Sequence, residues 1–115
     1  MSPEELISQI KSVPETVQFR DVMDVISAHY TFTPTGFWNG NLYNQPGENE
    51  GSCRIFAFAR LNGLDEQETL HCFGDYYRQD VCANPDGDKH ANIRNFMKTG
   101  WAGVQFDTPP LTNKS

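Results

Sequence analysis

Basic residues are scarce and unclustered: 9 Lys and Arg stand against 15 Asp and Glu, a formal net charge of −6. Such a chain repels phosphate backbones and anionic headgroups, which argues against nucleic acid and membrane surfaces as partners. Cysteine is equally thin. Cys53, Cys72 and Cys82 are odd in number and share no framework spacing, so reduced thiols in a cytosol are expected rather than a disulfide-stapled secreted domain. No apolar run approaches the ~20 residues of a membrane span. The opening "MSPEELISQIK" lacks a basic n-region and an apolar h-region, so no Sec leader is expected and the mature chain is taken to start at Met1.

Ligand motifs are missing too. Neither a Walker A nor a GxGxxG pattern occurs, so no nucleotide and no other cofactor is expected. Cys53, His71, Cys72, Cys82 and His90 form no close zinc pair, and adjacent His71 and Cys72 point in different directions on a helix. Aligning Gly87 of "NPDGD" with the glycine of a calcium loop puts Cys82 at the first ligand position and Ile93 at the last, where carboxylates are required. No metal is expected.

What remains describes one domain. At 115 residues the chain is long enough for one core without covalent staples, and it shows no repeat or linker. Ser2, Pro3 and Glu5 form an N-terminal cap and box for a first helix that carries Leu6, Ile10 and Val13 on one face and stops at Pro14. Phe19, Val22, Met23, Ile26 and Tyr30 stripe a second helix, with His29 in its last turn. "FWNGNLY" reads as a hairpin turning on Asn39-Gly40. Ser52 caps a nearly all-apolar third helix stopped by Gly63.

Asp65 and Glu68 box a fourth helix with Leu70, Phe73, Tyr77 and Val81 inward, and Gly74 within it implies a close backbone contact. Asp88 caps a fifth, with Ile93, Phe96 and Met97 inward and Gly100 as its stop. "GVQF" reads as a strand joining the hairpin, and "TPPLTNKS" as a tail that frays. The expected fold is α+β: a single compact domain over 1–115, about five helices and a small antiparallel sheet built from a hairpin near 37–43 and a strand near 102–106.

Two sets of residues carry possible function. A cysteine in a first helical turn meets unsatisfied N–H groups and the positive end of the helix dipole, which favours thiolate. "GSC" followed by "FAF" resembles the nucleophile helix of papain-like hydrolases, with Cys53 as nucleophile, His90 as base and Asn92 or Asp107 as orienter. That resemblance is partial, since Arg54 replaces the aromatic after the cysteine and Gly47 stands where an oxyanion glutamine would. As a core residue, Cys53 is simply a small hydrophobe. The second set is aromatic. Trp38, Tyr43 and Trp101 pair an apolar body with a polar tip, which suits a binding surface for a protein or small ligand if they are exposed.

The words "PTGFWNG", "NEGSCRIFAFARLNGL", "CFGDYYRQDV", "PDG" and "HANIRNFMKTGWAGVQFD" resemble the HopJ type III effector family from the first helix to Asp107. The resemblance implies a bacterial protein delivered into host cells by a type III secretion system; it brings no catalytic set. A capped helix at residue 2 is unlike a disordered, serine-rich export signal, so residence in the bacterial cytoplasm is the expectation. A soluble binding protein, monomeric or weakly dimeric, is the favoured reading, with a Cys53–His90 thiol hydrolase or transferase as the alternative.

Overall fold

The computed structural model of the chain describes residues 1–114. Helix α1 (Pro3–Ser12) starts as the sequence dictates: Ser2 Oγ accepts the Glu5 N–H at 3.1 Å, and the Glu5 carboxylate accepts the Ser2 N–H at 2.9 Å. Leu6 and Ile10 are fully buried; Val13, expected on the same face, is exposed because the helix has ended and Pro14–Thr16 turns away as a 3₁₀ segment. Helix α2 (Phe19–His29) buries Val22, Val25 and Ile26, keeps Phe19 and Met23 half-buried, and leaves His29 in solvent.

The chain then passes directly into β1 (Tyr30–Phe32), which pairs antiparallel with β5 (Leu111–Asn113). The C-terminal segment therefore does not fray. Leu111 is buried, the Thr33 N–H donates to Pro110 O at 2.8 Å, and the Lys114 N–H donates to His29 O at 3.2 Å.

A second sheet has the order β3-β2-β4, all antiparallel, from β2 (Phe37–Asn39), β3 (Leu42–Asn44) and β4 (Val104–Phe106). The strand after the last α-helix, α5 (Ala91–Thr99), joins the hairpin as expected, but the turn is displaced by one residue. Asn39 pairs with Leu42, so Gly40 and Asn41 form the loop. Only Gly40 has positive φ (63°), which indicates a II′ turn rather than I′. The cause is Asn39, whose side chain is buried and bonded to Asn92 and cannot sit at a turn apex.

Helix α3 (Glu50–Leu61) is central, burying Cys53, Ile55, Phe56, Ala57, Phe58 and Ala59. Phe56 is its hub, with ring centroids 4.9 Å from Phe96, 5.6 Å from Phe73, 6.1 Å from Phe37 and 6.4 Å from Trp101. That one side chain ties α3 to the sheet, to α5 and to the segment around Phe73; burying a ring of this size contributes about 2–3 kcal/mol before packing is counted.

Helix α4 (Glu66–His71) keeps its Asp65–Glu68 box, with bonds of 2.8 and 2.9 Å. It is shorter than expected. At Gly74 the backbone turns to φ +60°, and the chain continues as a π-helical stretch over Tyr76–Val81. Leu70, Phe73, Tyr77 and Val81 are nonetheless all buried. Helix α5 (Ala91–Thr99) starts later than an Asp88 cap requires, with His90 as its N-cap. Ile93 and Phe96 face inward, but Met97 is exposed, and Trp101 closes over Phe96 at 5.1 Å.

The result is α+β: among the described residues, five α-helices, one π-helical stretch, two short 3₁₀ segments and two small antiparallel sheets surround one core. The radius of gyration, 13.2 Å, matches the ~13 Å of a single compact unit of this length. Among the described residues, no helix is long and apolar enough to cross a membrane.

Candidate functional site

Four asparagines bring the hairpin and two helix starts together. Asn39 Nδ2 donates to Asn92 O at 2.8 Å and to Asn92 Oδ1 at 3.0 Å. Asn92 Nδ2 donates to Asn44 Oδ1 at 2.9 Å, and Asn44 Nδ2 returns a bond to Asn92 Oδ1 at 3.2 Å. Asn49 Nδ2 also donates to Asn44 Oδ1, at 2.7 Å. Asn39 Oδ1 is the one buried side-chain polar atom without a partner among the described residues.

This network explains how α3 and α5 begin. Asn49 and His90 are the two non-glycine residues with positive φ, 50° and 61°, and each is an N-cap whose side chain does not cap its own helix. Asn49 is drawn to Asn44, and His90 Nε2 is bonded to Asp80 Oδ2 at 3.1 Å with its ring 5.2 Å from Tyr76. Cys53 and Arg94 are the first residues whose N–H groups have acceptors in their helices, Asn49 O and His90 O. The N–H groups before them in each helix have no acceptor within it, as at any helix start. Both starts line one cleft of about 350 Å³, walled by Phe19, Phe73 and Tyr76.

The thiol lies elsewhere. Helix α3 starts before Ser52, so Ser52 is not its cap and Cys53 stands one turn in, facing the core. Cys53 is 1% exposed and does not line the cleft. Burial pushes its thiol up to about 11, with the Arg54 charge opposing and Glu50 adding slightly. No hydrogen bond joins Cys53 to an imidazole. His90 and Asn92 do share the cleft, but His90 is held by Asp80 and Asn92 is part of the amide network. Asp107, the other candidate orienter, is on the far side of the sheet bonded to Tyr43. Among the described residues there is no group of three or more metal-ligating side chains.

The aromatic candidates divide. Trp101 is half-buried: its indole N–H donates to Leu64 O at 3.1 Å, and the Arg60 guanidinium lies 4.9 Å from its ring. It is a packing residue. Trp38 and Tyr43 stand directly opposite each other on the outer face of the sheet, with Gln105 next in the row, while Phe37, Asn39, Asn44 and Val104 face inward. Because Asn39 and Leu42 flank the two-residue loop, they are the hydrogen-bonded pair, and Trp38–Tyr43 is the non-hydrogen-bonded pair whose side chains approach closely. Their ring centroids are 5.0 Å apart. Trp38 is 45% exposed and Tyr43 37%.

Tyr43 is also fixed at its tip. Its hydroxyl donates to Asp107 Oδ2 at 2.6 Å, and this bond to a carboxylate raises the phenol above its usual value. Its ring lies over Gly36, where a Cβ would collide with both the Tyr43 hydroxyl and the Asp107 carboxylate. Sequence reasoning selected Trp38 and Tyr43. It missed Asp107 in this role, because nothing in the spacing of residues 43 and 107 announces that they meet.

The family model described as HopJ type III effector protein matches residues 3–111, nearly the whole chain. A solved structure described as "Crystal structure of unknown function protein VPA0580" is similar at 50% identity and a TM-score of 0.95, over 96% of this chain and 92% of that one. No curated protein matches.

Proposed function

This chain belongs to the HopJ type III effector protein family, and from that premise we propose that it acts by binding a protein partner through the outer face of the β3-β2-β4 sheet. One observation carries the reading: Trp38 and Tyr43 are exposed, their rings packed against each other at a 52° tilt, and Tyr43 is fixed by its bond to Asp107. Tryptophan and tyrosine supply large contact area for little lost rotamer freedom, and a pair already ordered loses less still on binding. The Trp38 indole N–H has no acceptor among the described residues, so a partner's carbonyl would complete it. Against the thiol-enzyme alternative stand the burial of Cys53, its raised pKa and the engagement of His90 by Asp80.

A random heptapeptide library displayed on phage and selected on the immobilised chain tests this. Enriched peptides are expected to bind at least tenfold more weakly to Trp38→Ala and Tyr43→Ala than to the unaltered chain. Equal binding to all three, or no enrichment, refutes the proposal. We further propose that the protein acts in the bacterial cytoplasm, a reading supported by the burial of Leu6 and Ile10 of α1 in the core. Type III-dependent export of a reporter fused after residue 30 would overturn that placement.

A further inference from the structure

Resting on the binding reading above, we infer that the Trp38–Tyr43 face takes a cationic side chain, a lysine or arginine of the partner protein. Two π faces lie 5.0 Å apart at their centroids and are open to solvent. The negative face of an indole or phenol ring attracts ammonium and guanidinium groups, most strongly for tryptophan. Beside them is Asp107, exposed, with one carboxylate oxygen accepting from the Tyr43 hydroxyl and the other free. Asp107 has no basic partner within salt-bridge distance among the described residues, where the ion pairs are Lys11–Glu68, Arg78–Asp75 and His90–Asp80.

An aromatic pair rimmed by an unpaired carboxylate is complementary to a cation and repels an acidic partner. The net charge of −6 acts in the same direction at longer range, steering basic surfaces toward the chain and acidic ones away. The same chemistry already operates inside the molecule. Arg54 lies 4.0 Å from the centre of the Phe32 ring, and Arg60 lies 4.9 Å from Trp101 and 5.6 Å from Phe106. In each of those cases the cation comes from this chain. On the outer face of the sheet no cation is supplied, and the geometry is left for another molecule to complete.

The heptapeptide selection decides between the two levels of the proposal when run at physiological salt with Trp38→Ala, Asp107→Asn and the distant control Asp24→Asn, each checked for folding by circular dichroism. The expected result is a pool enriched in Lys and Arg. Its binding should fall at least tenfold on Trp38→Ala and about threefold on Asp107→Asn, with little change on Asp24→Asn. Replacing the critical Lys by norleucine in a synthetic peptide should cost about fivefold, close to 1 kcal/mol. A neutral or acidic pool that still depends on Trp38 overturns the cation inference and leaves the binding reading standing. A basic pool weakened equally by Asp107→Asn and Asp24→Asn reports general charge attraction and also overturns the inference. A pool indifferent to Trp38→Ala, or no pool, sinks both.

Discussion

Alkylation of the three cysteines against pH separates a core thiol from a nucleophile. At pH 8 an ordinary cysteine thiol is about a quarter ionised, whereas one held near 11 is ionised roughly one part in a thousand. Ionisation alone therefore slows Cys53 by a factor of ~200 relative to an unhindered thiol. Burial at 1% exposure adds the requirement that the structure open before iodoacetamide can enter. Cys72, buried and pushed up to about 12 by the same desolvation, should be slower again, and exposed Cys82 is the internal reference.

The pH dependence carries a second signature. The folded Cys53 pKa lies above the unfolded one, so the unfolded chain releases its proton first. The stability associated with Cys53 is complete below pH ~8.5 and is lost as pH rises toward 11, up to about 3 kcal/mol. Urea melts at pH 8 and pH 10.5 should show a steeper loss for the unaltered chain than for Cys53→Ala. Mass spectrometry of the labelled protein reads the rates. Labelling of Cys53 within tenfold of Cys82 at pH 8, or an apparent pKa below 8.5, would refute this reasoning and restore Cys53 as a candidate nucleophile.

Two further substitutions test the packing that positions the sheet and the helix starts. Gly74→Ala should destabilise by about 2–4 kcal/mol, since φ is +60° and the new Cβ would meet the Phe19 backbone nitrogen at 2.7 Å; a change under ~0.5 kcal/mol in urea melts contradicts the close approach. Asn92→Ala should lose about 1–3 kcal/mol by removing the side-chain bonds to Asn39 Nδ2 and to both ends of the Asn44 amide, leaving Asn39 Nδ2 only the backbone carbonyl of residue 92. Loss of the dispersed amide resonances of residues 39 and 44 in the same variant would show that the network sets the hairpin.

Local signals were legible and long-range ones were not. The Ser2–Glu5 and Asp65–Glu68 boxes, the buried faces of α2 and α3 and the strand at Val104–Phe106 rest on near neighbours, and each stands where sequence reasoning put it. Gly74 was read as a backbone contact from its poor fit to a helix, and Phe19 is that contact. The errors share a cause. Ser52, Asp88 and the Asn39-Gly40 turn were assigned from the residue types that local caps and turns prefer. At Asp88 and at the hairpin turn the deciding force came from far along the chain, and at Ser52 from Asn44, outside the local cap pattern. Asn49 and Asn92 are drawn to Asn44, and Asn39 is drawn to Asn92 across 53 positions. The C-terminal strand was missed for the same reason, since its partner is β1 at Tyr30–Phe32.

The two tryptophans show why composition alone cannot locate a site. Both lie within two residues of a glycine, and both carry an indole N–H that must be satisfied if buried. Trp101 meets that demand with Leu64 O and closes over Phe96 and Phe56, so its polar tip is spent within the fold. Trp38 stands on the opposite face of a sheet whose inner row is already filled by Phe37, Asn39 and Val104. A one-residue slip of that register would bury Trp38 and expose Asn39. The slip is prevented by Asn39 itself, whose amide is anchored to both the carbonyl and the side chain of Asn92. The buried amide network and the exposed aromatic pair are therefore one arrangement seen from two sides. Weakening the network at Asn92 should disorder the Trp38–Tyr43 face and reduce peptide binding, even though Asn92 touches neither ring.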